Sequence, residues 1–574
     1  MQVLDARGGD ADGERLRAKG DQVNLTRMGG LGVAVAASLA TIATMLSPAV
    51  AQASASGGSP APGVRQYTGT VGLARLVPRH KPAAATPGPQ PAPRGARRLL
   101  SGHYKATEAV PGAPTAAPAA AAATAATRSP VVNFNGVSSR DSQVTNFNLK
   151  FEPPDQGLCR GGGFVLEPIN SAYRIYRTNG KSVRGPFNIN DLFNVGAAEF
   201  TSDPRCWFDT RTNTWFATIL FLNSAGTASS LLIAVRHNPD PRGLWTEYSI
   251  DTTDPTGNGC PCFGDQPRIG IDQTNLYITG DEFSILGPQF NGAEMWAIDK
   301  TDLVNGVASP HFAHFAGLTL DNQLTVAPQP ALSQGKPDAE YLLSSLDFNG
   351  TGDNRIGVWA VTDRDQVALG NAPTLTSTII NSEAYAIPPP AKQKGSKSKL
   401  DSGDDRMQQT QFTGGTVWGE LTTAIKPAGD TVVRAGGAWF QVKPTLGSGG
   451  IDSASIVRQG YIAARGKYEI YPAVQPDAAG NAAVVFTLTN SVLFPSAAYA
   501  TLKAGRSNFG PAVVAASGTG PYDPQATRWG DYSFAVPGAS DSAWLATEYI
   551  PPKSSQTTTG ARNWGTRVFE VPLG

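Results

Sequence analysis

One pattern constrains this chain more than any other. A polar or Pro-marked head, a short strand, a turn and a more apolar strand return along most of its length. DPRCWFDTRTNTWFATILF starts at Asp203, DQPRIGIDQTNLYITGDEF at Asp265 and QPALSQGKPDAEYLLSSLDF at Gln329. DRMQQTQFTGGTVWGELTTAI follows at Asp405, YPAVQPDAAGNAAVVFTLTN at Tyr471 and RWGDYSFAVPGASDSAWLATEYI at Arg528. Each is succeeded by further strand-like sequence, such as SSLLIAVRH, AEMWAIDK or AWFQVKP. The spacing is roughly 60 to 75 residues, which suits blades with long loops. Four antiparallel strands repeated radially make a β-propeller.

PPDQGLCRGGGFVLEPINSAYRIYR, from Pro153, adds one more unit. The expectation is therefore an all-β chain with a single β-propeller of about seven four-stranded blades, six being the alternative. The last unit runs out of chain after three strands, RWGDYSFAV, AWLATEYI and GTRVFEV. The segment Gln143 to Phe151, QVTNFNLKF, is expected to supply the fourth strand and close the ring, because an unpaired edge invites association.

PPDQGLCRGGGFVLEPINSAYRIY, DPRCWFDTRTNTWFAT, CPCFGDQPRIGID with YITGDEF, DDRMQQ, and RWGDYS with WLATEYI and WGTRV occur in that order. In these motifs the chain resembles a group of uncharacterised secreted bacterial β-propeller proteins whose fold is similar to that of the sialidase superfamily. The resemblance implies fold and export, with no activity attached. The sialidase Asp-box, Ser-x-Asp-x-Gly-x-Thr-Trp, is absent; DTRTNTW and SLDFNGT echo it only in part and read as polar hairpin turns.

Three domains are expected: residues 1–55 as a signal peptide or signal anchor with a long n-region, 56–130 as a linker, and 131–574 as the propeller. The apolar stretch Gly29 to Pro48 precedes AVAQASA, which offers Ala-x-Ala cleavage points. Residues 56–130 are Pro/Ala-rich low complexity with Arg65, Arg75, Arg79, Lys81, Arg94, Arg97, Arg98 and Lys105 against Glu108. Such composition is expected to stay disordered. A second interruption, Ile379 to Asp404 with its prolines and Lys392, Lys394, Lys397 and Lys399, reads as a mobile exposed loop. The formal net charge of +1 gives no reason to expect nucleic acid as a partner, or membrane contact beyond the leader and basic tether.

Arg268 and Glu282, Arg406 and Glu420, and Arg528 and Glu548 recur at corresponding hairpin positions, so each pair is expected to meet across strands. The heads should gather at the channel mouth, where Asp203, Arg205, Asp265, Arg268, Glu282, Asp405, Arg406 and Arg528 are the candidate ligand-binding residues. Asp531, Tyr532 and Glu548 are the candidate catalytic trio. Tyr replaces the carboxylate nucleophile in sialidases, and a retaining glycosidase needs carboxyl groups ~5 Å apart.

Four cysteines, Cys159, Cys206, Cys260 and Cys262, fit an exported chain, with Cys159–Cys206 and a local Cys260–Cys262 ring as the expected pairing among three. No metal, cofactor or phosphate loop is expected. The leading function is a monomeric extracellular or cell-envelope module that binds a glycan or another polar ligand. The alternatives are a glycan-cleaving hydrolase or lyase using the mouth carboxylates, and a noncatalytic assembly scaffold.

Overall fold

The computed structural model describes residues 63–77, 114, 129–197, 199–254, 259–522, 528–539, 541–552 and 562–574. The described residues all belong to the unit Val50–Gly574. The expected leader, residues 1–55, lies outside the described residues.

Among the described residues, antiparallel meanders of four strands succeed one another over 159–188, 200–251, 262–320, 329–385, 407–462 and 468–516. A last one combines Phe534–Pro537, Ser542–Tyr549 and Gly565–Pro572 with the N-terminal strand Val132–Ser138. The second strands explain the layering. Asn275–Ser284, Thr416–Ile425 and Ser542–Tyr549 are buried almost throughout, on both faces, as expected for strands sandwiched between neighbouring sheets. Outer strands alternate instead: Gly450–Ile462 exposes every other residue over much of its length. Tryptophans fill the space between sheets, with Trp418 and Trp439 stacked at 5.8 Å. The Cys159–Cys206 disulfide ties the innermost strands of the first two meanders.

The result is an all-β, propeller-like arrangement, but not the closed ring expected. The innermost strands of the third, fourth and fifth meanders are bonded in parallel, through Ile271↔Leu332 and Ala331↔Thr410, and fuse into one 15-stranded sheet. The sheet that carries the fourth meander is open: it turns through 275° and leaves its edges 10 Å apart. Paired strands lie about 4.8 Å apart, so these edges cannot share hydrogen bonds.

The segment proposed for closure also fails as a strand. Ser138 and Asp141 form a capping box, each side chain bonded to the other's backbone, which starts the helix Ser139–Thr145. Phe147 and Asn148 then take left-handed φ of 53° and 65°, which breaks any extended run. The strand beside Gly565–Pro572 is the earlier VNFNGVS.

Part of the segment expected to be disordered is ordered. Arg65–Tyr67, Thr70–Leu73 and Arg75–Leu76 pair with the outer strands of the fourth, third and second meanders in turn. Unpaired donors and acceptors on those three edges recruit a peptide whose composition offers little core of its own. The expected mobile loop is likewise anchored. Its four lysines are exposed, but Ala391 bridges Leu400, and buried Gln393 bonds to the backbone of Tyr522 at both ends of its amide.

Candidate functional site at the strand heads

The heads share a backbone device. Asp203, Gln266, Ala327 and Tyr471 each precede a proline and each has a left-handed φ, between 46° and 60°. At three of them the ladder slips: between Thr218 and Leu220, Asp265 and Arg268, and Ile470 and Ala473. Such bulges re-aim a side chain from the sheet face toward the sheet end. Asp155, at the head of the first meander, also has a positive φ of 44°. Strained non-glycine residues recurring at one end of a fold are a recognised mark of a working site.

The side chains so aimed form two layers. In the inner one, Asp155 and Asp203 are 1% and 2% exposed. One oxygen from each lies within 4.8 Å of the other and of an oxygen of Asp531. Asn170 knits them together: its amide donates to Asp155 at 2.6 Å, and its carbonyl accepts from the Asp203 backbone at 2.6 Å. The Asp531 backbone N–H donates to Asp155 at 2.7 Å. Arg205, also buried, lies 3.3 Å from the centre of the Tyr532 ring, a cation–π contact.

The outer layer consists of Asp531, Arg528, Arg406 and Asp401, whose side chains stay 15–19% exposed. Arg528 bonds Asp531 and lies 3.9 Å from Asp401. Gln266 is the pivot between layers. It donates to Asp531 at 3.3 Å and accepts from Arg406 at 2.9 Å and Arg268 at 3.1 Å.

Charge here is unbalanced. Seven carboxyl groups (Asp155, Asp203, Asp265, Asp281, Asp401, Asp404 and Asp531) share the region with four guanidinium groups, those of Arg205, Arg268, Arg406 and Arg528. Burial, then the neighbouring Asp531, pushes Asp203 up to about 6. Burial and Asp203 push Asp265 up to about 8. Asp155 lies well above the carboxylate range for the same reasons, burial first and then Asp531 and Asp203. The inner layer therefore stores protons near neutral pH. Asp203 Oδ1, Asp265 Oδ1 and Arg205 Nη1 are buried with no hydrogen-bond partner among the described residues.

Of the residues singled out from sequence, Asp203, Arg205, Asp265, Arg268, Arg406, Arg528, Asp531 and Tyr532 come together here. Tyr532 is spoken for, its hydroxyl donating to the Pro204 carbonyl at 3.1 Å. Glu548 lies beneath, 2% exposed, against Gly530. Asp405 turns away toward Asp347 and Tyr385. Glu282 lies apart, beside the Cys260–Cys262 disulfide.

None of the three expected Arg–Glu pairs forms. Arg268 bonds Asp281, Arg406 bonds Asp404 at both carboxylate oxygens, and Arg528 bonds Asp531. For Arg268 the sequence spacing overlooked the bulge at Gln266, and one residue of slip puts a side chain on the other face. Arg406 and Arg528 precede their strands and bond acids two and three residues away on the same segment. Sequence reasoning missed Asp155, Gln266, Asp281, Asp401 and Asp404. The residue-before-proline pattern would have found Gln266, and the Asp in PPDQG matches the Asp203 head. Nothing local marks Asp401, which the anchored lysine loop delivers.

A separate cavity of about 800 Å³ opens among the loops that follow the innermost strands of the later meanders, lined by Gln334, Phe412, Gln475, Pro537 and Ser542. It holds no comparable cluster of paired acids and arginines.

No family model matches the chain, and no curated protein matches it. Solved structures with which it aligns include an α-L-arabinanase of Penicillium chrysogenum complexed with arabinobiose, at 9% identity and a TM-score of 0.36, over 77% of this chain and 98% of that one. A GH93 α-L-arabinofuranosidase of Fusarium graminearum aligns at 10% identity and 0.34, over 77% and 98%. The Hadza microbial sialidase Hz136 aligns at 9% and 0.32, over 73% and 65%. At such values the likeness carries no argument about this chain; its propeller-like arrangement rests on its own strand pairing.

Proposed function

We propose that the head-end cluster binds a polar glycan and cleaves a glycosidic bond in it, in an exported protein. The observation that carries this reading is the Asp155–Asp203–Asp531 group: three carboxyl groups in mutual contact, of which only Asp531 faces outward. Asp531, the one member of the group reachable from outside, is the carboxyl group placed to meet a glycosidic oxygen, with the buried Asp155 and Asp203, both raised by burial, behind it. Asp401, on the other side of Arg528, is the second outward carboxylate, the partner that glycoside hydrolysis requires. Arg406 and Arg528 present N–H donors for sugar hydroxyl or carboxylate oxygens. Two disulfides agree with an oxidising compartment.

Binding without cleavage is the second reading, and one observation favours it. Arg268 and Asp281 are each 1% exposed and neutralise one another, as a purely structural pair would. Incubation with a glycan panel, followed by product analysis, separates the two. Cleavage that Asp531→Asn and Asp401→Asn each abolish, with binding retained, supports the hydrolase. Binding with no product from any bound glycan removes it in favour of the recognition module.

A further inference from the structure

The Cys260–Cys262 disulfide differs from its counterpart in everything around it. Cys159 and Cys206 are both wholly buried between sheets. Cys262 is buried but Cys260 is half-exposed. Glu282 Oε1 sits 3.5 Å from Cys260 Sγ, and the sulfurs and the carboxyl oxygen all lie within 4.8 Å of one another. A disulfide sulfur carries no hydrogen, so a hydrogen bond here requires the proton on Glu282. That agrees with its environment: burial first, then Glu294 and Asp254, push it up to about 8. The amide of Asn291 points its N–H donors at Cys262, 3.0 Å away, and at Cys260, 3.5 Å away. Gln289 fixes that orientation by donating to the Asn291 carbonyl at 2.9 Å. On the outer side, His314 Nε2 lies 3.3 Å from Glu294 Oε2 with its ring stacked on Trp296.

We infer that Cys260–Cys262 is a redox-active centre that exchanges with external thiols, with Cys260 as the attacked sulfur and Cys262 as the leaving one. An incoming thiolate bonds to Cys260 Sγ, and the disulfide's electron pair passes to Cys262 Sγ. That thiolate forms against the Asn291 N–H and takes the proton of Glu282. A second thiolate attacks the external sulfur of the mixed disulfide and expels Cys260 as a thiolate; the two protons lost by the external thiols on ionising return through water to Cys260 and to Glu282. Two external thiols are thereby oxidised by two electrons and one cystine is reduced; a disulfide-bearing partner runs the sequence backward. Donors aimed at the leaving sulfur speed such exchange by easing its departure. Glu282 is thus a site residue, for a reaction other than that at the strand heads.

The test uses the full-length oxidised chain in mixtures of reduced and oxidised glutathione, quenched by alkylation and mapped by mass spectrometry. Cys260 and Cys262 should reduce reversibly with the fold intact while Cys159–Cys206 persists, and the trapped glutathione adduct should sit on Cys260. Glu282→Gln should slow exchange by about ten- to a hundredfold and flatten its pH dependence around pH 8, where Glu282 faces Glu294, Asp254, Asn291 and, through Glu294, His314. Gln289→Ala, which leaves the carboxyl group in place, should slow exchange without moving the pH profile. Loss of both disulfides together only on unfolding, an adduct on Cys262, or a Glu282→Gln rate and pH profile equal to wild type would each overturn the inference.

Discussion

Arg268 donates to Asp281 at 2.8 Å, while Glu282, the next residue on the same strand, contacts a cystine on the opposite side of the sheet. Both members of the Arg268–Asp281 pair are 1% exposed. Removing one charge strands the other in a low-dielectric interior. Asp281→Ala should therefore cost about 3 to 5 kcal/mol of stability. Glu282→Gln removes no ion-pair partner and should cost far less. Urea unfolding of the two variants reads the difference, and equal losses would contradict the pairing.

Stability should decline from about pH 5 to pH 8. Burial raises Asp203 to about 6, Glu167 to about 7, and Asp265, Glu282 and Glu469 to about 8. Over that interval the native chain holds protons that the unfolded chain, with carboxyl groups near 4, has released. Stability rises with pH only where the unfolded state binds more protons; here the native state does, so the slope is negative. Asp265→Asn should flatten it between pH 6 and 8, as urea midpoints measured across pH will show. A flat wild-type profile would mean that these acids are not held protonated.

Gly530 allows the mouth to form. A Cβ there would lie 1.9 Å from Glu548 Oε1, so the buried Glu548 side chain would have to shift. Gly530→Ala should cost about 1 to 3 kcal/mol and displace the adjoining Asp531 and Arg528. Gly530→Ala paired with Glu548→Ala should recover most of the loss. Thermal unfolding of both variants checks this.

Edge strands should govern solubility. A chain beginning at Pro130 loses Arg65–Leu76 and bares the outer strands of three meanders. A chain beginning at Ser139 also loses Val132–Ser138 and bares Gly565–Pro572. Each step should increase association, the second more than the first, by light scattering at matched concentration.

Much of this was written locally. Alternating and continuous apolar runs bounded by Gly, Pro and Asp place the strands, because side-chain period and turn chemistry act over a few residues. TWFATILFL shows how a strand buried on both faces announces itself. The disulfide Cys260–Cys262 needs only a two-residue separation to be legible. The helix at Ser139 was legible too, in the Ser138–Asp141 spacing, but an extended reading of QVTNFNLKF concealed it.

Tertiary structure decided the rest. Which acid meets Arg268 turns on a bulge at Gln266, since one inserted residue reverses the face of everything beyond it. Whether a Pro/Ala-rich stretch is ordered turns on three sheet edges distant in sequence that supply its hydrogen bonds. Asp401 reaches Arg528 only because a bridge between Ala391 and Leu400 and the Gln393–Tyr522 bonds fix the loop that carries it. The sequence by itself determined strands, turns and the chemical inventory, whose causes are local. Opening of the sheet, partner choice among charges and the protonation of buried acids depend on distances between remote segments and on exclusion of water, and only the folded chain sets those.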